Sequence, residues 1–301
     1  MRLLVTGGTG FIGQPLCRTL SEQGHVLTVL TRAASAAGHV SNRVRAVQWE
    51  PGRGGEWERA VAEADAVINL AGEPIAAHRW RVAQKQHIVS SRMETTRALV
   101  AAMRRASPKP ALLINASAIG YYGPHGDEPL TEEAASGAGF LAETCRQWEA
   151  EAMAAESLGM RVVRLRIGIV LGQGGGALSK MTPPFRAFVG GPLGTGRQWM
   201  SWIHREDVIG LIAWLLTQPQ ASGAFNATAP EPATMRQFCQ ALGRTLQRPS
   251  WAPVPSFLLR VLLGEMAEML LTGQRVLPAR AQSLGYRFRY PTLQASLSAC
   301  V

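Results

Sequence analysis

The chain has 301 residues, 47% of them apolar and 17% charged, with 31 Gly, 18 Pro and a formal net charge of +10. That length buries a sizeable core as one large α/β domain or a domain with a smaller companion, and Gly and Pro near ordinary usage exclude a collagen-like or low-complexity chain. Only three of the 31 cations are Lys, no basic run exceeds two residues and no basic strand is rich in aromatics, which argues against a nucleic-acid partner despite the charge.

Over the first 170 residues, short aliphatic and β-branched runs alternate with helical stretches. Leu3–Thr6 reads as a strand directly after Met1, which leaves no room for a signal peptide. A helix over Ile12–Gln23 follows, then strands at Val26–Thr31 and Val44–Trp49, a helix at Trp57–Glu63 and a strand at Ala66–Leu70. A long helix from Val82 to Arg105, a strand at Ala111–Ala116, a helix at Phe140–Ser157 and a strand at Arg161–Leu165 complete the alternation. This order predicts parallel βαβ units, and so an α/β Rossmann fold with a doubly wound parallel sheet.

Residues 172–202 are rich in Gly and Pro and read as irregular loop, with Met181, Phe185, Trp199 and Trp202 as the expected substrate wall. Beyond them the pattern gives a helix at Asp207–Thr217, a strand at Gly223–Ala227, and helices at Thr234–Leu246 and Ser256–Leu271. The expected organisation is a Rossmann domain over residues 1–172, rejoined by 203–229, and a smaller, mainly helical substrate lobe within 173–301. Arg260, Glu265 and Glu268 interrupt the most apolar stretch, Phe257–Leu271, so no membrane span is expected. Cys17, Cys145, Cys239 and Cys300 are scattered without a C-x-x-C pair, which predicts no metal and no disulfide framework and makes a reducing cytoplasm the expected compartment.

The segment Thr6-Gly7-Gly8-Thr9-Gly10-Phe11-Ile12-Gly13 joins the first strand to the first helix. Small residues there let the backbone approach a pyrophosphate at a helix N-terminus. Glycines at 7, 10 and 13 give one spacing and glycines at 8, 10 and 13 another. The expected contacts are Gly7, Thr9, Gly10, Phe11, Ile12 and Gly13.

NAD sites place an Asp or Glu at the end of the second strand to hold the ribose hydroxyls. Here no carboxylate occurs between Glu22 and Glu50, and the strand ends in Leu30-Thr31-Arg32, with Arg43 and Arg45 further on. The planar fork of an Arg suits a 2′-phosphate, so NADP(H) is the expected cofactor, with Thr31 and Arg32 at the phosphate. Leu70, Ala71 and Gly72 end the fourth strand and let adenine or ribose lie against the backbone. Arg92, on the following helix, is either a cofactor contact or a solvated side chain.

Several strings are distinctive: T-G-G-T-G-F-I-G (6–13), N-L-A-G-E (69–73), S-R-M-E-T-T (91–96), S-A-I-G-Y-Y-G (117–123), W-E (148–149), G-I-V-L-G-Q-G-G-G-A (168–177), P-P-F (183–185), W-I-H (202–204) and G-Q-R-V-L-P (273–278). Together they resemble an extended short-chain dehydrogenase/reductase of the nucleotide-sugar-epimerase type. More narrowly, the chain resembles the atypical YfcH-like epimerase family proteins, which carry a C-terminal domain of their own. The resemblance spans essentially the whole chain. It implies a Rossmann fold, NADP(H) binding and a C-terminal lobe for a small-molecule substrate, carbonyl or sugar-like. It also places Arg166 and Val170 near the nicotinamide and makes a homodimer the common assembly among similar proteins.

Members of the wider superfamily use Ser/Thr, Tyr and Lys, the last two spaced Y-x-x-x-K. None of the four tyrosines here, at 121, 122, 286 and 290, has a Lys four positions on. In the helix where the pair should fall stands Glu143-Thr144-Cys145-Arg146-Gln147-Trp148-Glu149. Thr144 or Cys145 replaces the Tyr, and Trp148 or Glu149 replaces the Lys. Ser117, at the end of the fifth strand, takes the place of the Ser/Thr, unless registering on Tyr122-Gly123 moves that role to Ala118. Tyr121 and Tyr122 are the candidate proton carriers, and Cys145 and Glu143 are candidates by position only. His204 and Asp207 border the cleft in the resemblance; by themselves they read as a structural hydrogen-bonding residue and a helix cap. Two functions stay open: an NADP(H)-dependent oxidoreductase or epimerase, and an NADPH-binding sensor or scaffold without turnover.

Overall fold

The computed structural model describes residues 1–33 and 44–301, so Arg43 lies outside the described residues. Strands β1 (Arg2–Thr6), β2 (Val26–Thr31), β3 (Val44–Gln48), β4 (Ala66–Asn69), β5 (Leu112–Ala118), β6 (Arg161–Ile167) and β7 (Gly223–Ala227) form one sheet in the order β7-β6-β5-β4-β1-β2-β3. Every neighbouring pair is parallel. The strand order reverses between β1 and β4, and in open α/β sheets the crevice at such a switch point takes the ligand.

The sheet is covered on both faces, which is why its strands read as nearly continuous apolar runs. Leu3 and Val5 of β1 pack with Leu16, Cys17 and Leu20 of α1 (Gly13–Glu22) and with the apolar face of α6 (Arg205–Leu216). Leu4 faces the other way, toward Trp57 and Val61 of α2 (Glu56–Glu63), Leu99 and Met103 of α3 (Val82–Arg105), and Ala152 of α4 (Phe140–Met153). The alternation of side chains along a strand thus assigns each helix to one layer. No helix among the described residues is long and apolar enough to cross a membrane.

Three expectations are corrected in the second half of the chain. The segment expected to be irregular holds helix α5, Gly176–Arg186, with Pro183 and Pro184 inside it. Prolines lack the N–H that a helix interior needs, but these two fall in the last turns, and Phe185 is buried in the lobe core beside Leu178. Tertiary packing overrides the local signal. The single helix expected over Ser256–Leu271 is instead α8 (Ser256–Leu263), a turn at Gly264–Ala267 and a short helix at Glu268–Leu271. Gly264 sits at φ +61°, a helix-ending conformation that glycine adopts at little steric cost. Helix α7 (Met235–Leu246) begins with a capping box between Thr234 and Gln237, and a C-terminal helix over Leu293–Cys300, not expected from the pattern, packs on the same core. Trp202 and Phe185, expected to wall the substrate cleft, are interior residues of that core; Met181 is partly buried against it and Trp199 is half-buried.

Candidate functional site

The loop between β1 and α1 is shaped by three glycines with different duties. Gly7 lies at φ +68°, and a Cβ there would come within 2.7 Å of the Leu70 carbonyl oxygen. At Gly13 a Cβ would sit 2.1 Å from the Gly7 oxygen, so the helix packs directly on the turn. Gly10 is open: a Cβ would meet only the Gly7 oxygen, at 3.2 Å. Gly7 and Gly13 are therefore the glycines that the close packing of the turn requires, and Gly8 is needed as well, packed inward where a Cβ would lie 2.8 Å from Val29 and 3.1 Å from Cys17. Within the first turn of α1, Gln14 N–H bonds the Gly10 oxygen at 2.9 Å, Leu16 N–H bonds the Ile12 oxygen at 3.1 Å and Pro15 has no N–H, so it is the open backbone at Gly10, set at the positive end of the helix dipole, that makes an anion cradle. The Phe11 ring does not face this cradle. It fills the space left by Gly172, Gly175 and Gly176, under the Arg205 guanidinium at 4.7 Å. Of Phe11, only the backbone is left at the cradle.

At the end of β2, Thr31 is buried and its hydroxyl closes a local turn with Ala33, accepting from that N–H at 3.3 Å. Arg32 is exposed, and its side chain has no hydrogen bond or ion pair among the described residues. Arg45 is committed elsewhere, to Glu56 and Glu63 of α2. The cation available at this corner among the described residues is Arg32.

Behind the switch point, a buried polar chain fixes the ends of three strands. Thr6 Oγ1 donates to Asn69 Oδ1 at 2.6 Å, and Asn69 Nδ2 donates to Asn115 Oδ1 at 2.6 Å and to Thr96 Oγ1 at 3.0 Å. Thr96 also accepts from Trp148 Nε1 at 2.9 Å. This holds Leu70, Ala71 and Gly72 in place, with Ala71 N–H donating to Asn69 Oδ1 at 3.3 Å. Arg92 lies beneath Gly72: a Cβ on that glycine would be 3.1 Å from the guanidinium carbon. The guanidinium also sits over the Trp148 ring at 5.0 Å and donates Nη1 to the Ile88 carbonyl at 2.9 Å. Burial pulls Arg92 below its ordinary value, and nearby Cys145 and Glu73 act against that shift.

The end of β5 brings Ser117, Tyr121, Tyr122 and Arg166 together, but in a closed arrangement. Ser117 Oγ donates to Glu149 Oε1 at 2.7 Å. Arg166 grips the same carboxylate with Nε at 2.8 Å and Nη2 at 3.0 Å. Its Nη1 donates to the Tyr122 hydroxyl at 2.9 Å, and that hydroxyl donates to Asn226 Oδ1 at 2.7 Å. Glu132 closes the far side, accepting from the N–H groups of Asn226 at 2.9 Å and Arg280 at 3.3 Å. Arg166 and Glu149 are each 2% exposed. Burial raises both the Tyr122 hydroxyl and the Glu132 carboxyl above their ordinary values.

The expectation that Arg166 contacts the cofactor is corrected on this geometry: all three of its nitrogens are engaged inside the protein, and its flat face lies 3.5 Å from the centre of the Tyr121 ring. Tyr121 is half-buried, and its hydroxyl has no hydrogen-bond partner among the described residues. Val170 lies in the short strand Ile169–Leu171, which pairs with Trp202–His204, and it is partly buried against the main core.

In the helix that lacks the Tyr/Lys pair, the residues at those places are tied up within the protein. Thr144 Oγ1 donates to the Phe140 carbonyl at 2.7 Å, and burial pushes the Cys145 thiol up to about 11. Glu143 is an exposed partner of Arg146 and Gln147. His204 caps α6, its Nδ1 accepting the Glu206 N–H at 3.1 Å, so it rather than Asp207 is the capping residue. Asp207 anchors the C-terminal segment instead, accepting from the N–H groups of Arg289 at 2.6 Å and Tyr290 at 3.0 Å.

Sequence reasoning missed Glu132 and Asn226 altogether, and it had Glu149 only as a replacement position. A carboxylate beside Trp148 in an otherwise apolar helical stripe was the one local signal for Glu149. Glu132 and Asn226 lie 94 residues apart and meet only through the fold.

A model of the NAD dependent epimerase/dehydratase family matches residues 3–228, and a model of a domain of unknown function, DUF1731, matches residues 254–300. Over 305 residues, covering 99% of this chain and 86% of the relative, the chain is 44% identical to the chloroplastic epimerase family protein SDR39U1 homolog of Arabidopsis thaliana. It is 42% identical over 299 residues to the epimerase family protein YfhF of Bacillus subtilis, covering 99% of this chain and 97% of that one. The crystal structure of human epimerase family protein SDR39U1 (isoform 2) with NADPH is similar at a TM-score of 0.87 and 34% identity, covering 99% of this chain and 98% of that one.

Proposed function

The chain belongs to the NAD dependent epimerase/dehydratase family, and from that premise we propose that it is an NADP(H)-binding oxidoreductase or epimerase acting on a small carbonyl or sugar-like substrate. The observation that carries the reading is the open backbone at Gly10 combined with an exposed Arg32 at the end of β2 whose side chain has no partner among the described residues. The NADPH in the human SDR39U1 structure supports the same cofactor here. When bound, NADPH supplies a hydride to a carbonyl carbon.

The chain's own residues divide the remaining work. Gly7, Thr9, Gly10, Ile12, Gly13 and the Phe11 backbone cradle the pyrophosphate, and Thr31 and Arg32 take the 2′-phosphate. Leu70, Ala71 and Gly72 offer a backbone surface, and Val170 lines the nicotinamide side. Arg92, flat on Trp148, brings a cation to the helix position where the superfamily has its Lys. Tyr121 gives or takes the substrate proton, because its hydroxyl is the uncommitted one of the three catalytic candidates. Ser117 and Tyr122 act as positioning residues: they hold Glu149 and Arg166, and Arg166 in turn supports the Tyr121 ring from below. The lobe formed by 173–202 and 230–301 faces the substrate.

A specific observation favours the rival reading of an NADPH sensor without turnover: the hydroxyls of Ser117 and Tyr122 are both spent in a buried network. Incubating the protein with NADPH deuterated at nicotinamide C4 and a panel of sugar nucleotides, aldehydes, ketones and quinones separates the two. Deuterium in one product, detected by mass spectrometry and lost in Tyr121→Phe, is the expected result. A blank panel in a sample that binds NADPH tightly favours the sensor.

A further inference from the structure

On the C-terminal lobe, apart from every side chain named above for the cofactor or for catalysis, helix α7 and the chain that follows it form an open groove of about 430 Å³. Gln240, Arg244, Arg248 and Ser250 line it. Through the shared Gln240 and Ser250 it continues into a smaller recess of about 170 Å³ beside Arg236 and Trp251. Arg236, Gln240 and Arg244 recur at four-residue intervals, so all three stand on one face of α7.

The backbone fixes the groove's shape. Arg248 N–H returns to the Gly243 carbonyl at 2.8 Å, and a Cβ on Gly243 would lie 2.8 Å from the Arg248 oxygen, so only glycine lets the returning chain lie on the helix. Trp251 N–H then bonds the Gly190 carbonyl at 3.0 Å, and Val254 N–H the Pro192 carbonyl at 2.9 Å. The two non-glycine residues at positive φ among the described residues, Phe188 at 63° and Gln247 at 56°, both border this region. A bulky aromatic held in that conformation is strained, and such strain collects at ligand sites.

The charges in the groove have no counterparts. No Asp or Glu occurs from 232 to 264. Arg244 has no side-chain partner among the described residues, and Arg236 reaches only the Thr195 carbonyl, at 3.3 Å. Arg248 donates Nη1 to the neighbouring Gln247 carbonyl at 3.0 Å and lies over the Phe188 ring at 4.6 Å, while its buried Nε and the buried Ser250 Oγ have no hydrogen-bond partner among the described residues. Buried polar groups without partners are uncommon in native folds and call for a missing ligand or water. By contrast Arg45, Arg59, Arg97 and Arg105 each meet a carboxylate. The groove also exposes aromatic surface. Trp251 is 66% and Phe188 55% exposed. The indole N–H is spent on the Phe188 carbonyl at 2.9 Å, which leaves the flat face of the ring free.

We propose that this groove binds a nucleoside phosphate. Arg244 and Arg248 hold the phosphate through charge-assisted hydrogen bonds, joined by the Ser250 hydroxyl. Trp251 stacks on the base, and Arg236 and Gln240 face the sugar. An aromatic platform beside unpaired guanidinium groups matches this ligand class because the ligand carries a π-face and a dianion on one frame.

The test is calorimetric titration of the full chain with AMP, adenosine and inorganic phosphate. AMP is expected to bind at least tenfold more tightly than either fragment. Arg244→Ala and Trp251→Ala should each weaken AMP at least tenfold, with thermal midpoints unchanged because both side chains are exposed. Arg244→Lys should restore part of the loss, and AMP should still bind Gly10→Trp, in which the β1–α1 loop is blocked. Unchanged affinity in both groove variants overturns the proposal. Loss of AMP binding in Gly10→Trp also overturns it, since the nucleotide then sits in the β1–α1 loop.

Discussion

Replacing Glu149 with Leu exposes what the buried network under the tyrosines is worth. The carboxylate accepts from Ser117 Oγ, from two nitrogens of Arg166 and from Arg164 Nη1 at 3.3 Å, and both Glu149 and Arg166 are 2% exposed. Removing one member of a buried ion pair costs about 3–5 kcal/mol, because the other charge is left in a poorly solvated site. For a chain of 301 residues the unfolding entropy is about 0.6 kcal/mol per kelvin, so a loss of ~4 kcal/mol lowers the thermal midpoint by about 6 °C. Adding Arg166→Met removes the stranded charge, and the double variant should recover at least half of that loss. Urea titrations and calorimetry of wild type, both single variants and the double variant give the coupling directly. NADPH affinity in the double variant should stay within about threefold of wild type, a span of less than 1 kcal/mol, because Arg166 is enclosed by protein. A Glu149→Leu protein as stable as wild type, or a double variant that loses the full sum of the singles, refutes the clamp. A large drop in NADPH affinity would return Arg166 to the cofactor.

Three further outcomes follow from the site. Gly10→Trp should abolish NADPH binding, followed by nicotinamide fluorescence, while the protein stays folded, since a side chain at Gly10 points into open space apart from the Gly7 oxygen; intact binding would remove the loop from the cofactor site. Arg32→Ala should weaken NADPH by roughly 1.5–3 kcal/mol, the worth of a hydrogen bond to a charged group, and leave NADH nearly unaffected; equal losses for both dinucleotides would deny the 2′-phosphate contact. Burial, the larger influence, lowers the His204 value below the ordinary 6.5, with Arg205 and Arg289 adding to the shift and Glu206 opposing it. The unfolded chain therefore takes up a proton near pH 6.5 that the folded chain refuses until lower pH, so stability from this group is present above that value and is lost as pH falls. The drop in thermal midpoint between pH 7.5 and 5.5 should be smaller in His204→Asn, which keeps a capping side chain; an unchanged drop would rule His204 out as its source.

Local signals carried far in this chain because the βα repeat is written at short range. Turn glycines, strand period and helix period, each spanning a few residues, placed the seven strands and the β1–α1 loop close to where they stand. The loss of Tyr and Lys from α4 and the lack of an acid after β2 were equally plain, since each is a matter of which residue occupies one place. The breaks were local too at Gly264, where a glycine late in a helical run is a stop signal. The prolines of α5 gave the opposite message, and burial of Phe185 outweighed them.

What each candidate side chain does was decided only by the tertiary structure. Ser117, Tyr122 and Arg166 all stood where chemistry was expected, yet Glu149, Glu132 and Asn226 arrive from other elements and occupy their polar atoms. Arg45 and Arg32 looked alike until α2 brought Glu56 and Glu63 to one of them. Phe11 lay inside a phosphate loop, but the glycines that receive its ring are more than 160 residues away. The sequence by itself determined the backbone architecture and which reactive groups are missing, because conformational preference is set by neighbours along the chain. Which hydroxyl or guanidinium remains free is a question of partners, and a partner's position is fixed only when the elements pack.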